Sequence, residues 1–257
     1  MADAYLYCNE VVDPLTDWRV PLAPSWVVAR RAQQVVVRLI PDAQEKRFDF
    51  EVVEDVSPQE LMQAAVEGTS SGGVRCPVDR LGNWMQPNQR QVTSTEQLRS
   101  SNGLRRWTNS DVVPRPEDVY QERLYCIRWV DPDTGRRYYR PPNEHDLTRE
   151  QLVLDLLQER FAEWQEKGYI PSRVIEPGSK TDEPIRTRGW THWHHLFNPR
   201  QLLLAGFVSA LGNEDLLIKS ESAALLLSVG KLANLNSRLC QWHSARDQTA
   251  HTFPNKA

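Results

Sequence analysis

The sequence predicts an α+β protein in which a small antiparallel, β-rich part is followed by a β-hairpin and then by helices. Three observations support this class. Short β-branched or alternating segments are concentrated before residue 75, the segments "RLYCIRWV" and "RRYYRPP" flank the turn "DPDTG", and "DLTREQLVLDLLQERFAEWQEKG" has helical periodicity. We expect a β-rich region at 1–110, a hairpin, helix and connector at 111–189, and a helical segment at 190–257.

The first elements of the chain are predicted to be strands and one short helix. "SWVVAR" and "QVVVRLIP" are aliphatic runs separated by a polar turn, and "RFDFEVVED" alternates apolar and polar side chains, as strands of an antiparallel sheet do. In "SPQELMQAAVEG", Ser57 is a candidate N-cap, Pro58 suits the first turn, Glu60 completes a capping box and Gly68 follows the end. We therefore predict a short helix after the sheet.

Residues 72–110 have no sustained periodicity and predict a long loop with brief strands. Beyond the hairpin, an amphipathic helix should end at Gly168, and a proline- and glycine-bearing connector covers 169–189. Asn198 and Pro199 predict the start of another helix, and a last helix is expected from about Asn213 towards Leu239. The tail after Gln241 is polar, and we expect no closing element there.

The composition limits the classes of function. Charged residues make up 25% of the chain and the formal net charge is −3, so contact with nucleic acid must come from local patches. The four cysteines are far apart in sequence and predict reduced thiols. Because neither a signal peptide nor a membrane-spanning segment is recognisable, we expect a soluble cytoplasmic protein without a membrane partner.

Common catalytic motifs are missing from the sequence. It contains no G-x-S-x-G elbow, no G-x-x-x-x-G-K-S/T loop and no G-x-G-x-x-G after a strand. The acidic groups in "DEP" and "NEHD" are more simply explained as solvated loop charge than as an acid/base pair. We therefore predict no catalytic residue in this chain.

One segment resembles half of a zinc knuckle. In "RCPVD", Cys76 stands in a C-P-x-C pattern whose second position is Asp79, and Cys8 precedes a D-P-x-x-D run. Cys8 and Cys76 are the only thiolate candidates for a metal, and without a C-x-x-C pair we expect a degenerate, zinc-ribbon-like remnant that binds no zinc. His192 and His194 could share a strand face as ligands, but no third ligand is fixed by the sequence.

The stretch "RGWTHWHHLFNPRQLL" at 188–203 has two possible explanations. Its histidines, with Trp190, Trp193 and Phe197, could form a half-buried brace on the next helix, or the stretch could contact nucleic acid or a cofactor. The second hypothesis includes the arginines of the hairpin, although a solvated hairpin is its simpler explanation. The predicted nucleic-acid-binding residues are Arg136, Arg137, Arg140, Arg186, Arg188, Trp190, His192, Trp193 and Arg200.

Five segments, in order, resemble one family of proteins. They are "VPLAPSWVV", "VVRLIPDAQEKRFDFEVVEDVS", "VPRPEDVYQERLYCIRWVD", "GYIPSRVIEPGSKTDEPIRTRGWTHWHHLFNPRQLL" and "KLANLNSRLCQWHSARDQTAHTF". The chain is similar, from about Tyr5 to Phe253, to the interior of large adenine-specific DNA methyltransferases that carry a zinc-ribbon-like insertion and an N-terminal domain of unknown function, often in anti-phage defence loci. "W-x-x-L-F-N-P-R-Q-L-L" is the most specific part.

The resemblance implies that the parent enzyme uses S-adenosylmethionine to methylate N6 of adenine in DNA. Such enzymes have a D-P-F-x-G-x-G type cofactor loop and a D-P-P-Y type motif that holds the flipped base, and this sequence contains neither. We therefore expect the central segment of such an enzyme, truncated or encoded as a split gene and inactive by itself. Its hairpin and degenerate ribbon would contact DNA, and its helices from Asn198 would belong to an incomplete α/β methyltransferase fold.

The implied partners are DNA and a separately encoded catalytic part of the same methyltransferase. No cofactor is expected for this chain alone. An accessory module that binds nucleic acid without catalysis, and a remnant that binds nothing, remain as alternatives.

Overall fold

The computed structural model describes residues 1–70, 72–179, 181–213 and 218–252. It contains both helices and strands, which confirms the α+β class. Two compact units are present. Unit 1 comprises Met1–Arg105, Pro114–Asn143 and His243–Gln248, and unit 2 comprises the described residues of Arg106–Val113, Glu144–Trp242 and Thr249–Ala257.

Unit 1 is built on a mixed seven-stranded sheet with the order β3-β4-β5-β2-β1-β6-β7. The hairpin predicted in the middle of the chain is part of this sheet, because its first strand pairs antiparallel with β1 along most of its length. The sheet is not purely antiparallel, since β2 and β5 run parallel and are joined at one register pair, Arg19 and Arg47. The strands are β1 (Ala2–Val12), β2 (Arg19–Leu22), β3 (Val27–Ala29), β4 (Val35–Asp42), β5 (Arg47–Val53), β6 (Gln121–Val130) and β7 (Arg137–Arg140).

The core of unit 1 is formed by the buried faces of these strands. Trp18 and Phe48 are completely buried, and their ring centroids lie 5.0 Å apart. The β-branched residues that predicted strands in "SWVVAR" and "QVVVRLIP" fill β3 and the first half of β4, where nearly every side chain is buried. Burial of these aliphatic and aromatic groups accounts for the stability of the sheet.

The short helix α1 (Pro58–Val66) follows the sheet as predicted. Ser57 Oγ accepts a hydrogen bond from the amide of Glu60 at 3.2 Å, so the predicted N-cap is confirmed. The prediction of a capping box is wrong, because the Glu60 carboxylate accepts a hydrogen bond from Arg38 Nε on β4, at 2.9 Å, and not from the amide of Ser57. A tertiary ion pair has displaced the local bond.

The region 72–110 was predicted to be a loop with brief strands, and it also contains a helix. Isolated antiparallel bridges join Val74 to Thr93 and Val78 to Trp84. The helix α2 (Thr95–Asn102) begins at a full capping box, in which Ser94 Oγ accepts from the amide of Gln97 and Gln97 Oε1 accepts from the amide of Ser94. The pattern "STEQ" contains this signal, and the surrounding polar sequence concealed it.

Unit 2 contains four α-helices and one 3-10 helix, Trp193–Leu196, among its described residues. Gly168 has a φ of 72° directly after the long amphipathic helix, as its predicted role at the stop requires. Asn198 Oδ1 accepts a hydrogen bond from the amide of Gln201 at 2.9 Å, which confirms it as the N-cap of the next helix. The α-helices are α3 (Glu144–Glu166), α4 (Asp182–Arg188), α5 (Pro199–Gly212) and α6 (Lys219–Leu235).

The end of the chain differs from the prediction. Asn213 is the C-cap of α5, so the last helix does not begin there, and residues 214–217 lie outside the described residues. The helix α6 ends at Leu235 because the chain then turns, and the amide of Thr252 donates to the carbonyl of Asn234 at 2.7 Å. Two short strands, β8 (Trp242–His243) and β9 (Gln248–Thr249), pair with each other, so the tail does have a closing element.

None of the helices in the described part of the chain is both long enough and apolar enough to cross a membrane.

Candidate functional site

The stretch at 188–203 forms the centre of a buried aromatic cluster in unit 2. Gly189 ends α4 with a φ of 75°, and its carbonyl accepts a hydrogen bond from the amide of Trp107 at 2.8 Å. This contact brings Trp107 against Trp190, with ring centroids 6.4 Å apart. We define the aromatic cluster as Trp107, Trp190, Trp193, Leu196 and Phe197.

His195 is a structural histidine with a fixed tautomer. Its Nδ1 accepts hydrogen bonds from the amides of Thr191 and His192, at 3.0 and 3.2 Å, so Nδ1 carries no proton. Nε2 then donates to the carbonyl of Thr108 at 3.0 Å. Burial, with the neighbouring His194, lowers the pKa of His195 to about 3. The ring is neutral and has no nitrogen left for a ligand.

His194 is also completely buried and lies with its ring 5.3 Å from that of Phe161, in an edge-to-face arrangement. Burial and the adjacent His192 lower its pKa to about 4. Only His192 is partly exposed, and its Nδ1 lies 2.9 Å from the hydroxyl of Thr191. The three imidazoles are therefore packed as neutral groups and are not arranged as a chelating set.

The contacts of this stretch agree with the interpretation of an aromatic brace. Trp190 is 7% exposed, so its ring offers no open face of the kind that stacking on a base requires, and Trp193 is partly buried against the same cluster. Arg200 lies in the first turn of α5, and its Nε donates to the carboxylate of Glu150 on α3 at 3.0 Å. Arg188 is half-buried at the end of α4, and Arg186 is the exposed arginine of this group.

The hairpin of unit 1 carries the other predicted nucleic-acid-binding residues. Trp129 on β6 and Tyr138 on β7 are register partners, and their rings stack with centroids 6.3 Å apart and planes at 9°. The guanidinium carbon of Arg140 lies 4.9 Å from the centroid of the Tyr138 ring. Arg136, Arg137 and Arg140 are all exposed, and none of them forms an ion pair with any residue that the structure describes.

The remaining arginines of the hairpin are used inside the fold. Arg123 Nη1 donates to Glu10 at 2.8 Å, and Arg128 Nε donates to Asp3 at the same distance. Because alternate residues of a strand point to opposite faces, Tyr138 and Arg140 share one face of β7 and Arg137 lies on the other. The hairpin therefore has an exposed cationic rim rather than one continuous basic face. We define the cationic rim as Arg136, Arg137 and Arg140.

The two cysteines considered as metal ligands are both buried thiols. Burial, with Glu10, raises the pKa of Cys8, and burial raises that of Cys76, which disfavours the thiolates that zinc requires. In the knuckle position before β2, the Asp13 carboxylate accepts hydrogen bonds from the hydroxyls of Thr16 and Thr93, at 2.8 and 2.6 Å. A network of hydrogen bonds occupies this position.

Asp79, which replaces the second cysteine of the knuckle, also has hydrogen-bond partners. Its carboxylate accepts from the amides of Leu81 and Asn83, and from the side-chain amide of Asn83 at 3.0 Å. Within the described residues, no group of three or more histidine, cysteine, aspartate or glutamate side chains is placed to hold a metal ion.

Sequence reasoning missed two residues that organise these sites. Arg238 contacts the aromatic cluster from a distant part of the sequence, and Trp84 is an exposed ring on the loop that follows Asp79. Neither belongs to a motif, although Trp84 lies in the polar segment "GNWMQPNQ", where an isolated aromatic residue is a usable signal.

Comparisons of the chain with family models, with curated proteins and with solved structures found no match.

Proposed function

We propose that this chain is a segment of an adenine-specific DNA methyltransferase and that the cationic rim of its hairpin contacts duplex DNA. The ordered resemblance of five segments supports the family. The exposed arginines of the hairpin support the contact with DNA.

The proposed DNA contact depends on one observation, the exposure of the arginines in the cationic rim. The other two arginines of the hairpin, Arg123 and Arg128, form ion pairs with carboxylates, whereas the cationic rim is exposed and forms no ion pair within the described residues. The ring of Tyr138 lies under Arg140 and is itself stacked on Trp129, which restricts the guanidinium. Exposed guanidinium groups of this kind suit phosphate contacts, which give affinity and orientation without base specificity.

The described residues do not fit S-adenosylmethionine. The sequence has neither the glycine-containing cofactor loop nor the D-P-P-Y type motif. The sheet of unit 1 has a single parallel register pair between β2 and β5, where a cofactor-binding α/β sheet has several parallel strands with loops at their carboxyl ends. In this proposal the chain takes no part in methyl transfer and holds DNA for a catalytic part that carries both motifs.

The DNA contact is tested by binding of a fluorescent duplex to the full chain over a series of NaCl concentrations. We expect the logarithm of the affinity to fall linearly with the logarithm of the salt concentration. The double variant Arg137→Ala/Arg140→Ala should bind more weakly, and its salt slope should be smaller by about 1 to 2 units, because each phosphate contact contributes roughly 0.9.

The matched control is Arg31→Ala, which removes an exposed arginine from another loop of unit 1. If this control reduces binding as much as the double variant does, the binding reflects net charge and the hairpin has no special role. Binding without any salt dependence would contradict a phosphate contact.

The same cationic rim would also suit an accessory module that binds nucleic acid without catalysis. A second experiment distinguishes this alternative from the methyltransferase hypothesis. The chain is mixed with a polypeptide that carries the D-P-F-x-G-x-G and D-P-P-Y type motifs, and transfer of a tritiated methyl group to DNA is measured. Methylation of adenine that requires both chains supports the methyltransferase. DNA binding without methylation favours the accessory module.

A further inference from the structure

Unit 1 contains a cleft of about 350 Å³ that is separate from the hairpin. Its walls are formed by β4, α1 and the loop that carries Trp84, and they include Ile40, Pro41, Pro77, Trp84 and Arg90. A volume of this size lies at the lower end of the range of small-ligand sites, which begins at about 300 Å³. The cleft is therefore large enough for one planar ring system.

The backbone at Trp84 is held by pairing with Val78, and the residue is open to solvent. Its backbone forms an antiparallel bridge with Val78, and the amide of Met85 donates to the carbonyl of Pro77 at 2.9 Å. The Trp84 side chain is nevertheless 54% exposed, and Ile40 on another wall is 45% exposed. A fixed backbone with an open indole face is the arrangement expected of a stacking platform, because little order has to be gained on binding.

The charged side chains in the walls indicate which kind of ligand the cleft suits. Among the acidic side chains in its walls, Glu60 is paired with Arg38 and Glu67 accepts a hydrogen bond from the Gln63 amide at 2.8 Å. Arg90 is a further cation in the walls, and its Nε donates to the carbonyl of Met85, which leaves other guanidinium donors for a ligand.

The sequence around Trp84 points in the same direction. Between residues 69 and 95 there are three arginines and a single aspartate, and the carboxylate of that Asp79 is already held by Asn83. The carboxamides from 83 to 91 do not line the cleft, and Asn83 and Gln89 already form local hydrogen bonds. The match to single-stranded nucleic acid therefore depends on the open indole and the cation beside it.

We propose that this cleft binds an unpaired base of single-stranded DNA, which stacks on Trp84 while Arg90 contacts the adjoining phosphate. The proposal rests on the proposed function, in which the chain contacts DNA, and it adds a second contact with a different chemistry. A base within a duplex is stacked on both faces and cannot enter the cleft, so the site should distinguish single-stranded from duplex DNA.

The test is binding of a fluorescent oligothymidylate of roughly 12 nucleotides, a length within the range that single-stranded binding folds cover. Trp84→Ala should weaken its binding roughly 10-fold, because one base–aromatic stack is lost. Trp84→Phe should restore most of the affinity, since it keeps a ring. Leu81→Ala is the matched control, because Leu81 is 80% exposed on the same loop and does not line the cleft.

Three results would overturn the proposal. They are binding of oligothymidylate that Trp84→Ala leaves unchanged, equal losses in Trp84→Ala and Leu81→Ala, and tighter binding of an oligouridylate than of the oligothymidylate. Far-UV circular dichroism and thermal unfolding verify that each variant is folded, which the exposure of Trp84 leads us to expect.

The duplex measurements with Arg137→Ala/Arg140→Ala keep the two proposals apart. If those substitutions weaken duplex binding while Trp84→Ala has no effect on the oligothymidylate, the cleft proposal fails and the hairpin contact stands. If Trp84 governs single-stranded binding and duplex binding ignores the hairpin arginines, the hairpin contact fails instead.

Discussion

Arg238 donates a hydrogen bond from Nη1 to the carbonyl oxygen of His195 at 2.9 Å, across 43 positions of sequence. The same nitrogen reaches the carbonyl of Phe197, and Nη2 donates to the carbonyl of Val112 at 2.9 Å. The guanidinium carbon also lies 5.4 Å from the ring of Trp107. One planar cation therefore joins two other segments of unit 2, one at His195 and Phe197 and one at Val112, to its own segment beside the aromatic cluster.

Arg238→Lys should destabilise unit 2 by about 2 kcal/mol, because an ammonium group cannot reach three carbonyls at the spacing that the planar guanidinium bridges. The measurement is urea unfolding followed by tryptophan fluorescence. Hydrogen exchange of the amides of α5 assigns the loss to unit 2. Arg173→Lys is the control, since Arg173 is exposed in the same unit. A loss of the same size in the control would contradict the role assigned to Arg238.

Acid should destabilise unit 2 through His194 and His195. Their pKa values of about 4 and about 3 lie below the value of about 6.5 expected in the unfolded chain. Above pH 6.5 both rings are neutral in both states. As the pH falls from about 6.5 towards 4, the unfolded chain takes up protons that the folded unit does not, so stability is lost. At pH 5 the loss is about 2 kcal/mol for each histidine.

The measurement is the free energy of unfolding of unit 2 between pH 7.5 and pH 5, again with hydrogen exchange in α5 as the probe. His194→Leu should lower the number of protons taken up on unfolding at acidic pH by about one, because leucine fills the apolar space beside Phe161 and does not titrate. His192, whose pKa burial also lowers, contributes in the same direction. A stability that is constant over this range would show that the buried rings are protonated in the folded state.

The elements that the sequence predicted correctly are those whose signals are local. Ser57 and Asn198 are N-caps because a side-chain oxygen can reach an amide three residues later whatever the rest of the fold does. The capping box at Glu60 failed because Arg38, a residue of another element, competes for the carboxylate. The pairing of β6 with β1 could not be predicted either, because more than 100 residues separate their register partners.

The candidate sites show the same difference between local sequence signals and contacts with distant residues. The sequence singled out the aromatic stretch and the hairpin arginines, but burial decides which of them are accessible, and burial depends on distant partners. Trp190 is covered by Trp107, whereas Trp84 has no such cover and is 54% exposed. The resemblance to the methyltransferase family stays a prediction, because no comparison with known proteins tests it.

Metal removal should leave unit 1 unchanged. Zinc binding would require thiolates, and burial raises the pKa values of Cys8 and Cys76. The oxygens of Asp13 are already occupied by two threonine hydroxyls. We expect the thermal unfolding midpoint to be the same with EDTA, with added Zn²⁺ and with neither, when it is followed by circular dichroism. A midpoint that EDTA lowers and Zn²⁺ restores would show that a metal site forms in this unit.

Gly206 and Gly230 should respond in opposite directions to the same substitution. In α5, a Cβ at position 206 would overlap the ring of Trp164, which is 5% exposed and cannot move aside freely. Gly206→Ala should therefore cost about 2 kcal/mol or more of stability. In α6, a Cβ at position 230 meets no atom within 4 Å, so Gly230→Ala should stabilise the helix by about 0.5 to 1 kcal/mol. Urea unfolding of both variants measures the difference, and a stabilising Gly206→Ala would contradict the close packing of α3 on α5.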